Sequence, residues 1–415
     1  MTELFVFVAT AIAGILFVDP FYGGALVKTP FAKVIVLVLG SGALGFHLLG
    51  RAVVAPERFA RATREVFADW WPLIVLSLFI ILGSAFARFA EDIKESFLAM
   101  GLGMLFLPAV AVAVRSDANP MLFMKSLAVI YVLMAVSMLG ILVPTDHLFH
   151  ESIFVVVPLG GYFLTARPLR AWQLVLGLTL VGLCAFSFKN TTFLMMLTTL
   201  AACALVGIVR IAKQQSTLRA TAWIYFIVVV LVVCAAGLFY AWLNYRTKLP
   251  TGNVDYRTEM YGIAWRRFLS SPIWGTGFTE SSVNYFTLYK VEVATQELPT
   301  HSDILDILAH GGLIGLALWL AVVWRILSIS WAAVVELASP VQRGGARAWR
   351  WLFLLALMQI DAIVTYAVNP PLISPVHGFW IWGSAGLMWA LHRQLTQASP
   401  AEVAQGDRLR SPALA

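Results

Sequence analysis

Long runs of apolar residues, separated by short polar segments, recur along almost the whole chain. Most runs hold about 17–25 residues with few charges, the length that a helix needs to cross a hydrocarbon core of about 30 Å. The pattern predicts an all-α, polytopic membrane protein with about 12 transmembrane helices. The predicted spans are 3–18, 31–49, 71–87, 97–114, 121–143, 153–165, 171–187, 192–209, 222–243, 308–333, 350–367 and 376–391.

One long segment, 244–307, breaks this pattern because it is too polar to consist of membrane spans. Within it, 255–270 is compatible with a helix, which Ser271 and Pro272 end before a Gly-Thr-Gly turn. We expect short helices in this segment. The chain therefore divides into transmembrane helices 1–9 (1–243), a large loop (244–307), transmembrane helices 10–12 (308–393) and a short tail (394–415).

Composition supports the membrane assignment, and the charge pattern gives an orientation. The chain is 60% hydrophobic and 12% charged, with a mean hydropathy of +0.83. Basic residues are concentrated in alternate short loops, which predicts a cytoplasmic N-terminus and an outward-facing, periplasmic 244–307 loop. The predicted inside residues are Arg51, Arg58, Arg61, Arg64, Arg115, Arg167, Arg170, Arg210, Lys213, Arg219, Arg343, Arg347, Arg350, Arg393, Arg408 and Arg410.

Several functions are disfavoured by the same features. The net charge of +7 follows from this positive-inside bias, and no basic-aromatic module indicates nucleic acid. No phosphate-binding Gly-rich loop is present, so we expect no nucleotide-driven pump. The cysteines lie in predicted spans without metal spacing and indicate neither disulfides nor a metal site; they are Cys184, Cys203 and Cys234.

Two other features of the spans carry predictions. The basic stretch 51–68 has the composition of an interfacial helix on the cytoplasmic face. Asp361 lies inside a predicted span, where an ionisable group is expensive, although the sequence does not identify its partner.

The end of the outward loop contains the clearest candidate for chemistry, His301. Thr300 or Ser302 can cap the helix that follows, and Asp303 and Asp306 favour the positive end of its dipole. A histidine titrates near neutrality and can accept or orient a proton. Asp303 is an alternative base, and a capping or packing role is the alternative for His301.

The helix predicted over 255–270 carries Arg257, Tyr261 and Phe268 on one face, which would present Arg257 to the same outer cavity as His301. Anchoring to a lipid phosphate is the alternative role for Arg257. The glycines of the next helix are interpreted as close helix packing; they are Gly311, Gly312 and Gly315.

Together these residues resemble the O-antigen ligase and polymerase superfamily. The string His301-Ser302-x-x-Leu305-x-x-Leu308-x-x-x-Gly312-x-x-Gly315 is similar to its signature, with Ser302 in place of the usual Asn and His310 where an acid is common. Two further blocks are similar to an arginine helix with its Gly-x-Gly turn and to a Ser-x-x-Arg-like turn, here with lysine; they are Arg257-Tyr261-Trp265-Pro272-Gly275-x-Gly277 and Ser187-Phe188-Lys189-Asn190.

The resemblance implies a glycosyltransferase in the inner membrane of a Gram-negative bacterium, with its site facing the periplasm. It implies His301 as the catalytic residue, and undecaprenyl pyrophosphate-linked O-antigen and lipid A-core as the substrates. No cofactor or metal is expected. The basic residues that would bind the pyrophosphate are Arg257, Lys189, Arg266 and Arg267.

Alternatives remain within and outside this chemistry. Lys189 could snorkel from a helix end, and Arg266 and Arg267 cannot both face one site because they are adjacent on a helix. An O-antigen polymerase needs the same residues as a ligase, whereas a protein O-oligosaccharyltransferase usually has an extra soluble portion. A lipid or polysaccharide transporter also fits about 12 spans.

Overall fold

The fold is known from a computed structural model, which describes the chain in separate ranges. The described residues are Gly42, 44–85, Leu98, 100–116, 149–182, 190–214, 253–278, 285–286, 296–297, 302–339, 346–366 and 375–397. The elements are α1 (Leu44–Val54), α2 (Pro56–Ala85), α3 (Phe106–Ser116), α4 (Phe149–Leu164), α5 (Ala171–Gly182), α6 (Asn190–Gln214), α7 (Asn253–Ser270), β1 (Tyr285–Phe286), β2 (Gln296–Glu297), α8 (Asp303–Ala338), α9 (Ala346–Tyr366) and α10 (Pro375–Gln397).

The all-α prediction is confirmed for the described residues, in which the strands are confined to the short antiparallel pair β1 and β2. Four of the described helices are long and apolar enough to cross a membrane, and they lie in α2, α6, α8 and α9. Helix α7 matches the helix predicted over 255–270. Three predicted spans lie outside the described residues, namely 3–18, 121–143 and 222–243.

The basic stretch 51–68, which was predicted to form an interfacial helix, is instead divided between two helices. Residues 51–54 end α1, and the remainder opens α2, which continues without interruption through Pro72 to Ala85. Proline in a helix interior removes one hydrogen bond. The helix nevertheless continues because one of its faces is buried on both sides of Pro72; the buried residues include Val66, Trp70, Leu73, Leu76 and Ile80.

Helices α8 and α9 form the centre of the bundle. Helix α8 packs against α2, α6, α7 and α9, and α9 also packs against α4, α6 and α10. The middle of α9 is buried on every side, from Leu352 to Met358. A helix that is apolar and buried all round belongs in the core of a large bundle.

Helix α8 bends sharply at Gly312, which has φ 59° and ψ −157°. Contacts of Tyr366 show how sharp the bend is, because this one residue reaches both segments of α8. Its backbone oxygen lies 3.5 Å from the Ser302 hydroxyl, and its ring centroid lies 5.2 Å from that of Trp319. A straight helix would separate Ser302 from Trp319 by about 25 Å. The first segment of α8, 303–311, therefore folds back beside the second, 313–338.

The far end of α8 carries a group of basic side chains. Arg167 donates to the carbonyl of Ser339 at 3.1 Å, and Lys213 donates to that of Val335 at 2.8 Å and to the Ser339 hydroxyl at 2.6 Å. Cations stabilise the negative end of a helix dipole. Arg210 adds a 3.5 Å contact with the carbonyl of Leu337.

This arrangement agrees with the loop charges of the sequence. Leu313 and Leu337 are separated by about 36 Å of helix, which is comparable to the thickness of a hydrocarbon core. The three basic residues, all predicted to face inward, thus lie at the opposite end of the second segment from the bend.

Asp69 links α2, α8 and α10. One of its oxygens accepts from Arg325 of α8 at 2.5 Å, from Arg393 of α10 at 2.6 Å and from the indole of Trp389 at 2.7 Å. The carboxylate is only 14% exposed. This cluster explains how α2 can carry an acid in its interior, since a buried charge needs charged or hydrogen-bonding partners.

Replacement of Asp69 by alanine should lower the free energy of unfolding by about 2 kcal/mol, because two arginines would lose their common counter-ion. Thermal unfolding in detergent, followed by tryptophan fluorescence, measures the loss. Glu65→Ala is the control, because the Glu65 carboxylate is 26% exposed, against 14% for Asp69, and its pair with Arg115 should contribute less than about 1 kcal/mol. Equal losses in the two variants would show that Asp69 is not a special link.

Candidate functional site

The predicted site residues are described to different extents. His301 and Lys189 lie outside the described residues, immediately before Ser302 and Asn190. Arg257 lies on α7, and only its backbone is described. Arg266 and Arg267 are described with their side chains. The site is therefore built from the elements that hold these positions.

Ser302 is the N-cap of α8, as predicted, and its hydroxyl accepts from the backbone N–H of Leu305 at 3.4 Å. The two acids of the first turns, Asp303 and Asp306, are 0% and 1% exposed. They are thus buried in the protein rather than facing water. His301 directly precedes this fixed and buried helix start.

Helix α7 packs on α8 through Met260, Ile263 and Ala264, which are all buried. Arg267 lies partly buried beside this face and within electrostatic range of the His310 ring. Arg266 is exposed on the other side of the helix. The adjacent arginines thus face different surroundings, as expected for neighbours on a helix.

The helical register relates Arg257 to both arginines. Arg267 follows Arg257 by ten residues and lies about 80° from it around the helix axis, whereas Arg266 lies about 180° away. Arg257 and Arg267 therefore occupy the same side of α7. This register favours Arg267 over Arg266 as its helper.

The loop after α7, residues 271–277, fills the bend of α8. We call it the glycine loop. On one side, the N–H groups of Thr276 and Gly277 donate to the carbonyls of Ala309 and His310 at 3.0 and 2.9 Å. These carbonyls end the first segment of α8 and have no acceptor role within that helix.

On the other side of the bend, the roles are reversed. The N–H groups of Leu313 and Ile314, which begin the second segment, donate to the carbonyls of Pro272 and Ile273 at 2.8 and 3.2 Å. The glycine loop therefore satisfies both halves of the broken helix. In an apolar surrounding each unsatisfied backbone group would cost several kcal/mol, so the bend depends on this loop.

Glycine is required on both sides of this contact. A Cβ atom on Gly275 would overlap the carbonyl group of His310, and one on Gly312 would overlap the backbone of Gly275 and Ile273. Both residues also have positive φ, 70° and 59°. The prediction that Gly312 serves close packing between helices is wrong. Gly312 instead permits the bend of α8 and its contact with the glycine loop.

His310 locks the glycine loop in place. Its Nδ1 lies 2.7 Å from the carbonyl oxygen of Gly277, and since a carbonyl only accepts, Nδ1 carries the proton. The ring is buried and packs against Phe278 with centroids 5.2 Å apart. His310 therefore has a structural role, in contrast to the catalytic role predicted for His301.

Phe278 extends the cluster to α2. Its ring meets that of Phe79 edge-on, with centroids 5.6 Å apart, and Gly83 lies so close that a Cβ atom there would overlap Phe278. Helices α2, α7 and α8 are thus joined at one place. The end of α2 opposite its basic stretch is therefore fixed to the candidate site.

The arrangement combines a partly buried cation, a second arginine on the same side of its helix, and a rigid helix start that follows a histidine. Cations held by the protein can neutralise a phosphate group as charge develops on it. A histidine can accept the proton of an attacking hydroxyl. These are the requirements for transfer of a group from a pyrophosphate.

Sequence analysis missed the role of His310 and the filled bend. A sequence signal exists: Pro272, Gly275 and Gly277, which favour a tight turn, precede the Gly311-Gly312 pair of the next apolar helix. Pairing of these two glycine groups is a long-range contact, which local propensity does not report. The structure also identifies the partners of Asp361, which the sequence did not: they are the hydroxyls of Thr198 and Thr199.

Comparison with known proteins supports the resemblance. A protein-family model described as O-Antigen ligase matches residues 175–320. The match includes α6, α7, the glycine loop and the bend of α8, together with every predicted site residue. No curated protein matches the chain. The resemblance predicted from sequence motifs is thereby confirmed.

Gly312→Ala should lower the free energy of unfolding by about 3 kcal/mol, because only glycine adopts this φ and ψ readily and because the added methyl group would push the glycine loop away. Gly311→Ala is the matched control, since its added carbon would meet only ordinary contacts at 3.9 Å or more. Thermal unfolding in detergent compares the two. Equal midpoints would mean that the bend tolerates side chains.

His310→Phe should keep the ring packing against Phe278 but lose the hydrogen bond to Gly277, which lowers stability by about 1 kcal/mol. If the chain transfers glycan, as the family description suggests, transfer by the folded fraction should persist, because Nδ1 holds the glycine loop. The activity per folded molecule, measured beside that of His301→Ala, tests this assignment. Complete loss in His310→Phe would instead make His310 part of the chemistry.

Proposed function

We propose, on the premise that its segment 175–320 belongs to the O-antigen ligase family, that this chain is an O-antigen ligase. It transfers an O-polysaccharide from undecaprenyl pyrophosphate to a sugar hydroxyl of lipid A-core. The reaction occurs at the periplasmic face of the inner membrane of a Gram-negative bacterium and completes lipopolysaccharide.

One observation carries this proposal: the backbone contact between the glycine loop and the bend of α8. It joins the helix of Arg257 and Arg267 to the helix that begins directly after His301. Two arginines of one helix and a histidine from a second part of the sequence are thereby attached to the same unit. Transfer from a pyrophosphate needs this combination of fixed cations and a base.

In the proposed reaction, the oxygen of the acceptor hydroxyl attacks the anomeric carbon as the bond from that carbon to the pyrophosphate oxygen breaks. His301 takes the proton of the hydroxyl. The pyrophosphate leaves with the electron pair of the broken bond and is stabilised by Arg257, Arg267 and Lys189. Attack from the side opposite the leaving group inverts the anomeric configuration.

The form of the donor follows from location. Nucleotide sugars are not at hand outside the cytoplasm, so the sugar must arrive activated on a membrane-anchored carrier. A polyprenyl pyrophosphate meets both needs, and its leaving group requires no metal to be expelled when cations surround it. We expect Arg266, which is exposed on α7, to contact the donor or the lipid surface rather than the reacting atoms.

Other glycosyltransferases of this chemistry differ in the acceptor. An O-antigen polymerase uses a second polyprenyl-linked repeat, and a protein O-oligosaccharyltransferase uses a serine or threonine hydroxyl. The family description favours the ligase, and the reconstitution experiment below distinguishes the three acceptors.

A transporter is less well supported than an enzyme. Broken membrane helices in transporters expose backbone groups to the substrate or ion. Helix α8 is broken at Gly312, but the backbone groups at the break that carry the described hydrogen bonds are occupied by the glycine loop. The break therefore serves the fold.

The purified protein should convert lipid A-core to a high-mass product when it is reconstituted with undecaprenyl pyrophosphate-linked O-polysaccharide, without nucleotide. Gel electrophoresis of the lipid products measures the conversion, and EDTA should leave it unchanged. Lengthening of the polyprenyl-linked glycan alone would identify a polymerase. Absence of both products, with a donor that a known ligase accepts, would contradict the enzyme assignment.

His301→Ala and Arg257→Ala should each reduce transfer by about 100-fold or more while the protein stays folded, because the base or a charge on the leaving group is lost. Arg257→Lys should recover only part of the rate, since a lysine lacks the bidentate fork. Arg170→Ala is the control, because Arg170 is an exposed arginine of a short loop predicted to face inward. Full activity in either site variant would remove that residue from the mechanism.

A further inference from the structure

A group of exposed apolar side chains extends from the end of α7 onto the glycine loop. Trp265, Leu269, Ile273 and Trp274 are each at least half exposed. Contiguous apolar side chains of this size rarely face water, and they usually mark a surface that contacts a partner or a membrane. We call these four residues the apolar patch.

On α7, the patch lies on the side opposite the face that packs on α8. Leu269 lies about 40° from Trp265 around the helix axis, and the buried packing residues lie about 120–160° from the midpoint of these two. The exposed Arg266 and Ser270 lie on one flank, about 80° and 120° from that midpoint. The exposed surface of α7 therefore has an apolar side and a polar side.

The glycine loop places this patch at one end of a membrane-crossing helix. The carbonyls of Pro272 and Ile273 accept from the N–H groups of Leu313 and Ile314, which begin the second segment of α8. Helix α8 is long and apolar enough to cross a membrane. Leu313 and Ile314 are themselves exposed, and they open a row of exposed apolar side chains along the segment; its further members are Leu320, Trp324, Leu327 and Trp331. The patch is therefore continuous with the surface that α8 presents to lipid.

We propose that α7 and the glycine loop are docked on the phospholipid surface at the bend of α8. The apolar patch contacts the upper part of the acyl chains, and Arg266 lies at the level of the lipid phosphates. The occupant of this surface is the bilayer itself, because the patch continues the lipid-facing side of a helix that crosses it.

The residue types of this surface suit the boundary between headgroups and acyl chains. Tryptophan is enriched at this boundary, since its ring is apolar and its indole N–H is polar. Trp265 packs against Phe268 with ring centroids 5.1 Å apart, which restricts its position on the helix. An arginine beside such a surface is attracted to anionic headgroups. Arg266, on the polar flank, meets this requirement.

Single cysteines on the two sides of the surface test the proposal. Leu269→Cys and Ile273→Cys place a thiol in the patch while both tryptophans remain. Ser270→Cys is the matched control on the polar side of α7, and Leu327→Cys is the reference near the middle of the second segment of α8. Each is made in the full chain with its three native cysteines replaced by alanine. The thiol is labelled with the fluorescent dye NBD in nanodiscs of phosphatidylethanolamine and phosphatidylglycerol, without a glycan donor.

Lipids that carry a nitroxide near the top of the acyl chain should quench the dye at 269 and 273 more strongly than lipids that carry it near the chain end. The reason is that a docked apolar surface enters the boundary by about 5–10 Å. The order should be reversed at 327, and iodide in the water should be the strongest quencher at 270. Quenching of 269 and 273 by iodide alone would overturn the proposal, because it would place the patch in water. Quenching by neither reagent would also overturn it, since protein, such as a second copy of the chain, would then cover the patch.

A second measurement needs no replacement of the native cysteines. Trp274→Asp should lower the midpoint of thermal unfolding in the same nanodiscs by about 2 °C or more relative to Trp274→Phe, because a carboxylate is unfavourable in contact with acyl chains. Ser270→Asp is the control and should stay within about 1 °C of the unaltered chain, since its side chain already faces a polar surrounding. An unchanged or raised midpoint in Trp274→Asp would contradict contact with lipid.

The inference does not rest on the proposed function. If the reconstituted chain transfers glycan to no acceptor, the proposed function fails, while the quenching pattern still decides where α7 lies. If transfer is observed and the patch is quenched only from the water, the docking proposal fails and the transferase stands.

Discussion

The backbone hydrogen bonds between the glycine loop and the bend of α8 support the rest of the candidate site. A helix that breaks inside an apolar bundle leaves carbonyls on one side and N–H groups on the other without partners. Here one short loop supplies both sets of partners, and two glycines allow it to come close enough. Without this contact, α8 would have to be straight, and Ser302 could not reach Tyr366.

The contact also explains why chemistry can be built at this place. Loops at a membrane surface are usually the most variable parts of a protein. The glycine loop is instead attached by four backbone hydrogen bonds and by the His310 side chain, and Phe278 joins it to α2. The helix of the arginines and the start of α8 are therefore held by the core, as the proposed positioning of a donor requires.

The two ends of the bundle follow different physical rules. At the end of α8 near Ser339, basic side chains donate to helix carbonyls and hold the bundle together. At the other end, Arg267 lies partly buried on the helix that precedes the glycine loop. The same residue types thus stabilise a helix end in one place and lie at the candidate site in the other.

Sequence by itself determined the elements whose cause is local. Apolar run lengths predicted helices, and four of the described helices are long and apolar enough to cross a membrane. Capping chemistry predicted Thr300 or Ser302 at the start of α8, and Ser302 is the cap. Both predictions depend on residues close together in the chain, as does the motif around His301 that carries the family resemblance. Tertiary structure alone decided that Gly312 bends a helix, that His310 holds a loop, and that Thr198 is the partner of Asp361. Each of these joins residues that are distant in sequence, and no local propensity records which distant group will satisfy a buried polar atom.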